Sequence, residues 1–269
     1  MYKQLSQLLM YGDLDQDGIL YQLGEIFHRY DKGDYDRMEL VRDMNTQIKH
    51  LLKVATDYGF DDNLWHNYLT FFLMMSENPF SMTCEKVGAS EGTVNLLVEN
   101  DFRIFKSLFD YDFSKIEKDL GIDCFSRISN YHAISKKDLM YNKNVSEKVR
   151  ALSKKLENTT TEQEFFDVVT GFYKDYGVGM FGLNKAFRIE ENPAGGVIFR
   201  PINNMDQVML DDLVGYEIQK KKLVDNTEAF VQGRKANNCL LFGDSGTGKS
   251  TSIKAIVNQY YDRSEERRV

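Results

Sequence analysis

Near the end of the 269-residue chain, Gly243-Asp244-Ser245-Gly246-Thr247-Gly248-Lys249-Ser250 fits the phosphate-loop, or Walker A, pattern GxxxxGK[ST]. Gly246 and Gly248 permit backbone conformations that a Cβ would forbid, so successive N–H groups can curl around phosphate oxygens. Those N–H groups lack intrahelical acceptors when a helix starts there, and they sit at the positive end of its dipole. Lys249 brings a point charge for the β- and γ-phosphates, and the Ser250 hydroxyl is the oxygen type that ligates the nucleotide's magnesium. The expected binding set runs from Gly243 to Thr251, namely Gly243, Asp244, Ser245, Gly246, Thr247, Gly248, Lys249, Ser250 and Thr251, with ATP and Mg as ligands. The bland alternative is a glycine turn before a helix carrying an ordinary surface lysine. The flanks favour the first reading: Cys239-Leu240-Leu241-Phe242 reads as a short strand, and Thr251 to about Tyr261 as a helix with Ile253, Ile256, Val257 and Tyr260 on one face.

About thirty residues upstream lies Leu213-Val214-Gly215, with a helical stretch in between. With that segment, the form GxxGxGKS resembles the AAA+ ATPases. More narrowly, Gly215-Tyr216-Glu217-Ile218-Gln219-Lys220, Asp225-Asn226-Thr227, Phe230 and Ala236-Asn237-Asn238-Cys239-Leu240-Leu241 resemble the bacterial AAA+ family known as domain-of-unknown-function family 815. The resemblance is clearest over 206–261. It implies that Val214, Gly215 and Tyr216 form part of an adenine pocket; otherwise they are a hydrophobic helix entry with a flexible glycine. It also implies an ATPase module that continues with a Walker B strand, a sensor residue, an arginine finger and a helical lid.

After Ser250 only 269 − 250 = 19 residues remain, too few for those parts. Phosphoryl transfer needs a positioned water, metal support and charge neutralisation in the transition state, and a phosphate loop supplies only part of that. The expectation is therefore an ATP-binding N-terminal fragment of an AAA+ ATPase, truncated after the Walker A helix, with no catalytic residue of its own. A non-hydrolysing ATP-sensing interaction module is the alternative. Arg263, Arg267 and Arg268 read as a solvated charged end rather than as an arginine finger. One strand and one helix cannot cover both faces of a parallel sheet, so the C-terminal part is expected to be incompletely packed.

The elements ahead of the loop read as helical. Pro79, Pro193 and Pro201 are the three prolines, leaving most of the first 180 residues free to form helices. Leu40, Val41, Met44, Ile48, Leu51, Leu52 and Ala55 make an apolar stripe at three- and four-residue steps, and further helices are expected over 64–75, 90–110 and 146–156. Thr161 and Glu164 have capping-box spacing before a helix over 162–176, which Gly177 ends. Then Ala186–Ile189 and Val197–Arg200 read as a hairpin, followed by a helix to about Gln232 with Leu223, Val224, Thr227, Phe230 and Val231 on its buried side. The expected organisation is a mainly α N-terminal domain (1–180), a β-hairpin junction (181–205) and an incomplete α/β P-loop (AAA+) domain (206–269).

Composition narrows the remaining classes. The formal charge of −7 argues against a surface built for nucleic acid or anionic membrane. Asp206 to Val269 holds ten acidic and ten basic residues, so the negative excess belongs to the first 205. Cys84, Cys124 and Cys239 form no CxxC pair, which fits a reducing cytoplasm, and no leader or spanning segment is legible. A protein partner for the helical domain is expected, and a homo-oligomer of the longer protein follows from the resemblance. Asp13-Leu14-Asp15-Gln16-Asp17-Gly18 opens like a calcium loop, but its twelfth position is Gly24 and Glu25 falls one place late. Gly177-Val178-Gly179-Met180-Phe181-Gly182 is formally GxGxxG, yet it follows a helix and precedes a hairpin, the reverse of a dinucleotide site. His28, His50, His66 and His132 have no ligand spacing.

Overall fold

The computed structural model describes residues 1–89, 92–134, 141–193, 195–203 and 205–264. The chain divides into two compact units, Met1–Leu183 and Asn184–Val269. The first is helical, and the second holds an antiparallel two-stranded hairpin and two long helices.

In the first unit, α1 (Tyr2–Leu5), α2 (Ile19–Lys32) and α3 (Arg37–Tyr58) lead to α4 (Leu64–Met75). The stripe on α3 is buried through Leu40, Met44, Ile48, Leu51 and Ala55, as the periodicity requires, and the Asp36 side chain caps its start by accepting from the Glu39 N–H. α4 is apolar nearly all round, the pattern of a helix surrounded by others: Leu64, Trp65, Leu69, Thr70, Leu73 and Met74 are all buried. Asn63 caps it through the His66 N–H, and the Trp65 indole N–H donates to the Leu108 carbonyl at 2.8 Å, so the buried polar atom of that ring is satisfied.

After α4 come α5 (Pro79–Val87), α6 (Thr93–Phe109), α7 (Ser114–Leu120), α8 (Cys124–Ile128), α9 (Lys143–Glu157), α10 (Glu162–Tyr176) and α11 (Gly179–Leu183), of which α6, α8, α9 and α11 pack on α4. The start expected for α6 falls on 90–91, outside the described residues. The Thr161–Glu164 capping box forms as the spacing requires, and α10 ends before Gly177, whose φ is +79°. The GxGxxG run is thereby a helix stop and a short following helix: a Cβ at Gly182 would stand 2.6 Å from the Gly177 carbonyl carbon, so close backbone approach explains the glycine. Residues 13–18 form an acidic turn into α2, closed by Gly18 N–H to Asp15 O at 2.9 Å.

The second unit opens with β1 (Phe187–Glu191) and β2 (Val197–Pro201), paired with Phe187 opposite Pro201 and Glu191 opposite Val197. A short 3-10 turn, Leu210–Asp212, precedes α12 (Glu217–Val231), and α13 (Lys249–Ser264) follows the glycine-rich loop. The core here is small: Leu210, Val231, Ala255 and Tyr260, with Val208, Leu213, Val224 and Ile256 packed on it.

Three sequence expectations need correcting here. Cys239–Phe242 is not a strand among the described residues, and Leu240 and Phe242 are 86% and 88% exposed. A strand exists through ladder bonds to a neighbour, and none lies beside this run, so its β-prone composition is left without a partner. On α12, Phe230 is exposed while Ala229 and Val231 are buried. On α13, Tyr260 and Ile256 turn inward as expected, joined by Ala255 and Tyr261, but Ile253 is exposed; the inward face packs on the Leu210 turn and α12.

Candidate functional site

The candidate loop joins the exposed 239–242 run to α13. Gly243, Gly246 and Gly248 all have positive φ, at +142°, +81° and +76°, so the sequence needs glycine at these three points. A Cβ at Gly246 or Gly248 would meet nothing within 4 Å, so it is the positive φ and not crowding that calls for glycine there. The first intrahelical bond of α13 runs from the Ser252 N–H to the Gly248 carbonyl at 2.8 Å. The N–H groups of Lys249, Ser250 and Thr251 therefore stand at the head of the helix without helical acceptors, the arrangement that attracts anions.

The loop also holds its own cation. Lys249 Nζ donates to the carbonyls of Gly243 and Asp244 at 3.0 and 2.5 Å and lies 3.3 Å from Thr247 Oγ1. Thr247 Oγ1 in turn donates to the Asp244 carbonyl at 2.9 Å. Gly243, Asp244, Thr247, Gly248 and Lys249 are thus brought into one turn of chain, with Ser250 exposed on the first turn of α13. The donor set fits a phosphate chain, and the Ser250 hydroxyl fits a magnesium that accompanies it.

The upstream segment is positioned separately. Gly215 has φ +86° and Tyr216 is left-handed at φ +57°, a conformation uncommon for a non-glycine residue. Val214 is 94% exposed, and Lys220 on α12 donates to the Leu213 carbonyl at 2.7 Å, fixing the chain just ahead of it. Among the described residues, no hydrogen bond joins Val214 or Gly215 to the loop at Gly243–Thr251. Arg267 and Arg268 lie outside the described residues.

Other side chains, not singled out by motif, position the site. On α12, Asn226 accepts the Asn237 N–H at 2.9 Å and donates to the Asn237 carbonyl at 2.7 Å. On α13, Asn258 donates to the carbonyls of Asp206 and Val208 at 2.8 and 2.9 Å, and Lys254 pairs with Asp206 at 2.5 Å. Polar residues inside amphipathic helices are read as solvated faces, so periodicity gave no signal for them.

Comparison with known proteins puts one family match on this second unit. A family described as "Protein of unknown function (DUF815)" matches residues 183–267. The replication factor C large subunit of Methanococcus vannielii is 41% identical over 51 residues, covering 19% of this chain and 10% of that protein. No solved structure matches. The family match and this short similarity support an AAA+-related family. The match spans only a tenth of that relative's length.

Proposed function

We propose that the second unit binds ATP with magnesium through Gly243–Thr251, as the nucleotide-binding part of an AAA+ ATPase. One observation carries the reading: the GxxxxGKS pattern lies where three positive-φ glycines open a loop onto the N-terminus of a 16-residue helix, with a lysine ammonium inside the loop. In this reading the backbone N–H groups of 246–251 wrap the phosphates, and Lys249 moves from the loop carbonyls to the β- and γ-phosphate oxygens. Ser250 ligates Mg, and Val214 and Gly215 contact the base. Hydrolysis belongs to residues that would complete the AAA+ module. The helical unit serves as the contact for a protein partner, and the protein assembles as a homo-oligomer in the cytoplasm.

Calorimetric titration of the chain with Mg–ATP is the test. Lys249→Ala abolishes binding if the loop is the site, and equal affinity in that variant removes the reading. The second reading, an ATP-sensing module, keeps the same binding and shows no phosphate release when the loop is supplied in a longer chain.

A further inference from the structure

The segment that enters the phosphate loop is held by very little. Among the described residues, no backbone N–H or carbonyl from 235 to 242 bonds to another backbone group, and no strand lies alongside. The hydrogen bonds that tie this stretch to the body of its unit come from one side chain, Asn226 in the middle of α12. Its Oδ1 accepts the Asn237 N–H at 2.9 Å. Its Nδ2 donates to the Asn237 carbonyl at 2.7 Å and to Cys239 Sγ at 3.2 Å. The amide thus engages both backbone groups of one residue, as a neighbouring strand would, and its second N–H reaches the residue two places on.

We propose that Asn226 is the positioning residue of the phosphate loop, clasping Asn237 and Cys239 so that the chain enters Gly243 in a fixed place over the head of α13. The proposal rests on the nucleotide reading above and adds a residue that no phosphate-loop pattern contains. Asn226 touches no nucleotide in this scheme. It acts through the backbone, by removing freedom that the loop would otherwise lose only when phosphate binds, and preorganisation of that kind appears as affinity. Asparagine competes with helix formation in a helix interior, and here its amide is used outside the helix in full.

Hydrogen exchange read by mass spectrometry on a peptide covering 235–242 tests the clasp without nucleotide. The wild-type chain shows one protected amide there, that of Asn237, because among the described residues it alone has an acceptor. Asn226→Ala and the shape-conserving Asn226→Leu lose that protection by roughly tenfold, whereas Lys249→Ala keeps it. Asn226→Asp retains the acceptor and loses both donors, so it keeps the protection. With far-UV helix content unchanged, Asn226→Ala and Asn226→Leu bind Mg–ATP roughly tenfold more weakly than wild type. Equal Asn237 exchange in wild type and Asn226→Leu, or fast exchange in Asn226→Asp, refutes the clasp. Lost protection with unchanged ATP affinity refutes the positioning role. Lost protection in a chain whose wild type binds no ATP refutes the nucleotide reading, and the positioning role with it, while the clasp stands.

Discussion

Replacing Asp101 with alanine tests the logic of the helical unit most directly. Asp101 lies on α6 with no exposed surface. Its carboxylate accepts from the N–H of Leu9 at 2.9 and 3.1 Å, of Met10 at 2.7 Å and of Tyr11 at 3.0 Å. The turn of chain after α1 is therefore pinned to α6 by three successive amides on one charge. Hydrogen bonds to a charged group contribute about 1.5–3 kcal/mol each, but a donor that regains water returns most of that. Leu9 is exposed and Met10 half-buried, whereas Tyr11 is buried, so only the Tyr11 N–H is left wholly unsatisfied. The expected cost of Asp101→Ala is thus near the value of one charged bond plus a fraction of two others, about 3 kcal/mol. Asp101→Asn keeps one acceptor oxygen but turns an NH2 toward the donors, for about 1–2 kcal/mol.

Trp65 is the chain's one tryptophan and is buried in this unit, so urea unfolding followed by its fluorescence reads the helical unit separately from the other. The melting temperature should fall by roughly 6–12 °C in Asp101→Ala, at 2–4 °C per kcal/mol for a unit of this size. A destabilisation below about 0.5 kcal/mol with an unchanged urea slope would show that the three amides find other acceptors, and the pinning argument would fail.

Other perturbations give separate checks. Loss of ATP binding in Lys249→Ala and of Asn237 protection in Asn226→Leu have been set out above. His66 Nε2 lies 2.8 Å from the Phe109 carbonyl, so Nε2 carries the proton and donates; Nδ1 then has no hydrogen-bond partner among the described residues and lies 3.8 Å from Glu157 Oε1. Burial lowers the His66 pKa below the ordinary 6.5, with the Phe109 carbonyl, Glu157 and Asp110 opposing the shift. The unfolded chain then takes up the proton first, so stability is fully present above about pH 6.5 and declines as pH falls below it toward the lowered folded value. Trp65-monitored stability should flatten between pH 7 and 5 in His66→Gln, which keeps a donor for Phe109 without titrating; the same slope in both proteins would overturn the assignment. Cys84 and Cys124 have thiols pushed up to about 11, by burial first, whereas Cys239 is exposed. A thiol reagent at pH 7.5 should therefore modify Cys239 well before the other two in the folded chain, and three equal rates would contradict the burial pattern.

The parts legible in the sequence were those whose physics is local. The α3 stripe, the Thr161–Glu164 box and the glycines at 177, 246 and 248 each follow from a spacing or a backbone requirement carried within one segment, and each stands where that spacing puts it. What failed depended on a neighbour. Cys239–Phe242 has the composition of a buried strand, but a strand needs a ladder partner, and the composition of four residues cannot supply one. The same dependence leaves Ile253 exposed on α13, where Tyr260 and Ile256 do turn inward but beside Ala255 on the Leu210 turn.

Asn226 was hidden for a related reason. Its side chain acts across eleven residues on a backbone group, a relation that helical periodicity scores as an exposed polar position. A lone apolar run entering a phosphate loop raises the question of what holds it. Where no strand supplies hydrogen bonds, a side-chain amide from the preceding helix is among the few groups able to satisfy both an N–H and a carbonyl of one residue. Asn226 is therefore the point at which the missing ladder and the loop's geometry meet.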